Sequence, residues 1–92
     1  MAALTSEQIA KRLAALKGWK RTADIIWKEY QFEDFVQALA FVNRVGVLAE
    51  KAFHHPDILI HQWNKVKLEL TTHDEKGLTT KDFDLAEQLD AL

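Results

Sequence analysis

From Phe35 to Phe53 the apolar positions step by three and four. Phe35, Leu39, Val42, Gly46, Ala49 and Phe53 fall on one side of a helix, and Ala38 and Val45 widen the stripe. The pattern predicts a helix over 33–53. Pro56 ends it near His54, because the residue before a proline is pushed out of the helical region. A shorter helical pattern opens the chain, where Ile9, Leu13 and Leu16 recur behind Thr5 and Gln8. That pair has capping-box spacing, and Gly18 is a natural stop, so residues 6–17 read as a helix. At the other end, Thr79 and Asp82 repeat the capping spacing ahead of Phe83, Leu85, Ala86 and Leu89.

Between these helices the period changes to two. Trp19–Arg21 and Ile25–Phe32 are rich in β-branched and aromatic residues, with Ala23-Asp24 as the turn of a hairpin. Either face of the second strand could be buried, since Ile26, Tyr30 and Phe32 alternate with Ile25 and Trp27. Ile58–Trp63 and Val66–Thr72 form a second hairpin around Asn64-Lys65. In its second strand Val66, Leu68 and Leu70 point one way, and Lys67, Glu69 and Thr71 the other. The order α-β-β-α-β-β-α predicts an α+β two-layer domain over residues 1–92, with an antiparallel sheet and its helices gathered on one face.

Composition narrows the function classes. A 92-residue chain implies one domain with a modest core, for which self-association is a common supplement. The net charge of −2 comes from interspersed acids and bases, without the basic stripe of a direct nucleic-acid partner. Cysteine is absent, so neither a disulfide nor a thiolate metal site can form, and a reducing compartment such as the cytoplasm suffices. No segment approaches the roughly 20 apolar residues of a membrane span.

The candidate chemistry lies in the histidines. His54 and His55 stand where the long helix ends, and Glu50 precedes His54 by four residues on the same helix face. A neighbouring carboxylate and a helix C-terminus both favour an imidazolium, a form able to donate a proton. The alternative is a solvated, charged helix end. By parity His73 falls with Lys67, Glu69 and Thr71 and not with the core set, which leaves a functional residue or a plain loop residue. His61 has no partner at suggestive spacing. Asp82 has a structural role open to it at the third position of the last helix, and that does not exclude lining a site. Trp63 is either a packing aromatic of the hairpin or a wall for a flat heterocycle.

Other chemistries fit less well. Glu50, His54, His55 and His73 are ligand types for zinc or iron, but adjacent histidines diverge and no His-x-x-x-His pair exists, so no metal is expected. Ser6, the only serine, is committed to a helix start. The three glycines are scattered and make no phosphate loop.

Glu50-x3-His54-His55-Pro56, then six residues to Trp63, nine to His73 and eight to Asp82, resembles the signature of the pterin-4a-carbinolamine dehydratases. Gly18-Trp19, Asp34-Phe35 and Asn64-Lys65-Val66 are similar to that family too, so the likeness covers essentially the whole chain. It implies a four-stranded antiparallel sheet under three helices, and dehydration of 4a-hydroxytetrahydropterin to quinonoid dihydropterin. That step recycles the cofactor of aromatic amino-acid hydroxylases. The resemblance implies dimers or tetramers, and for some animal members a second role as dimerisation cofactors of transcription factors. It also implies pterin contacts from Phe53–His55 and Thr71–Asp74. Phe53 is a departure, since some members carry Asp there, and a polar substrate contact is then lost.

The residues suit that chemistry. Loss of hydroxide from C4a needs an acid, and formation of C4a=N5 needs a base for the N5 proton, each typically worth about 10²–10⁴ in rate. His54 and His73 are the expected pair, in either assignment, with His55 positioning the hydroxyl, Glu50 and Asp82 in support, and Trp63, Thr71, Thr72 and Asp74 against the substrate. No metal or organic cofactor is required.

Overall fold

A computed structural model describes residues 2–92, in the order α1 (Ser6–Ala14), β1 (Lys20–Thr22), β2 (Ile25–Gln31), α2 (Phe35–Ala52), β3 (Asp57–His61), β4 (Lys65–Leu70) and α3 (Thr80–Asp90). A single 3-10 turn, His73–Glu75, lies between β4 and α3. The four strands form one antiparallel sheet in the order β1-β2-β4-β3. The two hairpins are therefore joined through their second strands, β2 and β4.

The alternation in β4 builds the core. Val66, Leu68 and Leu70 are fully buried, while Lys65, Lys67 and Glu69 are half-buried on the open face. Register carries this face across the sheet: Ile26 pairs with Leu70, and Ile58 with Leu68. Ile26 is fully buried and Ile25 and Trp27 only partly, which settles the face of β2. All three helices contribute to the same core, through Ile9, Phe41, Val45, Phe83, Leu85 and Leu89. Tyr30 and Phe32 tilt onto Phe41, with ring centroids at 4.7 and 4.9 Å.

The buried stripe of α2 is rotated from the one predicted. Ala38, Phe41, Val45 and Ala49 face the sheet, whereas Phe35, Leu39 and Phe53 are exposed. The helix is apolar on two sides, and periodicity could not tell which one meets the sheet. Its outer side leaves Val36 and Val47 72% and 57% exposed.

Helix starts follow their caps. Thr5 and Thr79 make reciprocal capping boxes with Gln8 and Asp82, and the Asp34 side chain accepts from Gln37 N at 2.8 Å. Helix ends and turns moved by a few residues. α1 stops at Ala14, ahead of Gly18, which takes a positive φ of 79°. The second hairpin turns at Gln62-Trp63, both with positive φ, two residues before Asn64-Lys65.

The Asp90 carboxylate, at the last residue of α3, ties that helix to the first hairpin. It accepts from Trp19 Nε1 at 3.0 Å, Lys28 Nζ at 2.9 Å and Tyr30 Oη at 2.8 Å. Three donors answer an acid that the helix dipole disfavours at this end.

Candidate active site

Two chain reversals set the histidines. α2 closes with Phe53 in the left-handed region, φ 51° and ψ 39°. Phe53 N donates to Glu50 O and His54 N to Ala49 O, each at 3.2 Å, which is the Schellman pattern. A phenylalanine at a position that usually takes glycine stores about 1–2 kcal/mol of strain. The reversal takes His54 off the helical path and drops it over the start of α3, beside the end of β4.

There Asp82 receives it. His54 Nε2 and Asp82 Oδ1 lie 2.5 Å apart, the carboxylate fully buried and the imidazole 11% exposed. Asp82 Oδ2 accepts from Thr72 Oγ1 at 2.8 Å and from Thr79 N at 2.9 Å. The residue that caps α3 therefore also holds an imidazole 28 positions away. This corrects the expected partnership of Glu50 with His54: Glu50 Oε1 instead meets His55 Nε2, at 2.5 Å, on the exposed side. The four-residue spacing fails because His54 has already left the helix.

His73, the first residue of the 3-10 turn, is exposed. His54, His55 and His73 line one cleft of about 270 Å³, with Phe53, Thr71, Thr72, Asp74 and Lys81. Of the residues expected around a site, Trp63 is not part of this cleft. It sits 64% exposed in the β3–β4 turn, with about 20 Å of strand between it and Thr71. Lys81 was not anticipated. It precedes Asp82 in sequence, so it arrives with the cap of α3. His61, read as unpartnered, pairs with Glu29 at 2.7 Å on the open face of the sheet.

Hollows of about 320 and 380 Å³ lie elsewhere, the first around Lys28 and Asp90, the second beside Ala23, Lys76 and Gly77. The larger adjoins the cleft and shares Thr71, Thr72 and His73 with it, but neither gathers a pair of imidazoles, so chemistry and not size singles out the site. Among the described residues no group of three or more His, Asp or Glu is arranged to hold a metal.

The family model for pterin 4 alpha carbinolamine dehydratase matches residues 2–92. The chain belongs to this family. It is 52% identical over 92 residues to a protein of Acidobacterium capsulatum, covering 100% of this chain and 99% of that one. A Roseiflexus protein is 53% identical over 89 residues, covering 97% and 95%. Both relatives are provisionally named pterin-4-alpha-carbinolamine dehydratase. The crystal structure of a transcriptional coactivator/pterin dehydratase from Brucella melitensis superposes with a TM-score of 0.91 at 33% identity, over 97% of this chain and 96% of that one. A pterin dehydratase-like protein identified as a RuBisCO assembly factor in the alpha-carboxysome shares the fold, with a TM-score of 0.64 at 22% identity, over 79% and 83%. Within the family's architecture, then, the cleft sits where the end of α2, the end of β4 and the start of α3 meet.

Proposed function

We propose that this chain is a hydro-lyase that converts 4a-hydroxytetrahydropterin to quinonoid dihydropterin and water. The observation that carries the reading is the convergence of three imidazoles on one cleft, two of them backed by carboxylates. In the reaction the C4a–O bond breaks as the leaving hydroxide takes a proton. The N5–H proton goes to a base, and its electron pair closes the C4a=N5 double bond. His54 and His73 serve as the acid–base pair, and His55, oriented by Glu50, positions the hydroxyl. The flat bicycle lies between Phe53–His55 and Thr71–Asp74. Proton transfer suffices, so neither metal nor organic cofactor takes part.

In this reading the protein works in the cytoplasm, recycling the tetrahydropterin of aromatic amino-acid hydroxylases. It makes no direct contact with nucleic acid, consistent with its mixed charge. It associates with its own copies, as dimer or tetramer, and the outer side of α2 with Val36, Leu39 and Val47 supports this. That side also favours a second reading, a non-catalytic assembly or coactivator module, in line with the names of the two similar structures. Retention of all three histidines, with Asp82 and Glu50 behind two of them, favours the enzyme.

The test is decay of a chemically generated 4a-hydroxytetrahydropterin, with and without protein that has been exhaustively chelated. Acceleration is expected. Acceleration that vanishes on chelation and returns with zinc would revive metal catalysis, and none under either condition would leave the binding module.

A further inference from the structure

The hydrogen bonds around Asp82 have a direction. A threonine hydroxyl carries one proton, and a carboxylate only accepts. Thr72 spends its proton on Asp82 Oδ2, at 2.8 Å. Its oxygen lies 2.9 Å from Thr79 Oγ1, so Thr79 must be the donor in that pair. Thr79 Oγ1 accepts in turn from Lys81 N, at 3.3 Å, in the first turn of α3. The chain therefore runs from the start of α3 through Thr79 and Thr72 into the carboxylate. On the far side Asp82 Oδ1 can only accept, so Nε2 of His54 carries the hydrogen between them.

Two consequences follow. The neutral ring of His54 is held as the Nε2–H tautomer, and Nδ1 is the nitrogen left to exchange a proton with a bound ligand. The Thr72 hydroxyl, which lines the cleft and was expected to meet the substrate, is already committed to Asp82. We infer that Thr72 is a positioning residue, which fixes Asp82, and through it the tautomer of His54, so that Nδ1 is the working atom. The catalytic part of this inference rests on the dehydratase reading, but the tautomer does not.

Two measurements test it. Ring ¹⁵N and ¹³C shifts of His54 in the unliganded protein, taken where the ring is neutral, should show the Nε2–H form. A neutral Nδ1–H ring would overturn the inference, whatever the protein catalyses. In the dehydration assay Thr72→Val should lower kcat about tenfold or more while KM stays within about twofold, and Thr72→Ser should restore most of the rate. Unchanged kcat in Thr72→Val, or a raised KM at unchanged kcat, would make Thr72 a bystander or a substrate contact. Should Thr72→Val not fold, the wild-type tautomer and the rate of Thr72→Ser decide. A wild-type protein without dehydratase activity sinks the functional reading and leaves the tautomer result standing.

Discussion

Asp82 is buried at the start of α3, and its carboxylate meets the imidazole of His54 from the end of α2 at 2.5 Å. One side chain thus serves as helix cap and as the anchor of a candidate catalytic group. Asp82→Ala should lower unfolding free energy by about 2–4 kcal/mol, since it removes the cap and leaves Thr79 N, Thr72 and His54 short of an acceptor. His54→Ala should cost about 1–3 kcal/mol, because it strips a partner from a buried carboxylate. His73→Ala, exposed, should stay within about 0.5 kcal/mol. Urea unfolding of the three variants checks the ranking.

Phe53 offers the opposite balance. Its left-handed conformation favours asparagine or glycine, so Phe53→Asn should leave stability unchanged or raise it by up to about 1 kcal/mol. If the ring covers the pterin, the same change should raise KM severalfold. A stabilised variant with unaltered KM would remove Phe53 from the substrate contacts.

Tyr30 is the only tyrosine, which makes its titration easy to read. Burial, and then the hydrogen bond to Asp90, push its phenol well above the ordinary value near 10. A phenol raised on folding stabilises the native state below its unfolded pKa and loses that contribution as pH climbs toward the folded one. Phenolate absorbance near 295 nm should therefore be missing at pH 10–11 and emerge together with alkaline unfolding. A phenolate titrating near pH 10 in the folded protein would contradict the Asp90 cluster.

The outer side of α2 bears on assembly. Leu39→Glu with Val47→Glu should reduce the mass measured by light scattering at micromolar concentration while leaving the circular dichroism of the fold intact. A wild-type protein already monomeric at that concentration would count against self-association.

Element types were legible because each rests on local periodicity and caps. Thr5/Gln8 and Thr79/Asp82 marked two helix starts, and Val66/Leu68/Leu70 marked the core face of β4. The buried side of α2 was legible in part: Ala38, Val45 and Ala49 belong to the stripe read from the sequence, but Phe41 does not, since both sides of the helix are apolar and only the sheet chooses between them. The Glu50–His55 pairing was not legible, because it depends on the left-handed Phe53; nothing in local propensity makes a phenylalanine take that conformation. Trp63, open to two readings in the sequence, lies in the β3–β4 turn and away from the cleft, because the interval between motif residues carries no information about which end of β4 they occupy. Lys81 shows the reverse, a cleft residue that follows from the position of its neighbour Asp82.

The central claim is that His54 and His73 move the protons of a carbinolamine dehydration. The most direct measurement is the decay rate of chemically generated 4a-hydroxytetrahydropterin in the presence of wild-type protein, His54→Ala, His73→Ala and His61→Ala. Wild type should accelerate decay, His54→Ala and His73→Ala should each lose about 10²-fold or more, and His61→Ala, paired with Glu29 away from the cleft, should match wild type. Full activity in both His54→Ala and His73→Ala, or no acceleration by wild type, would contradict it.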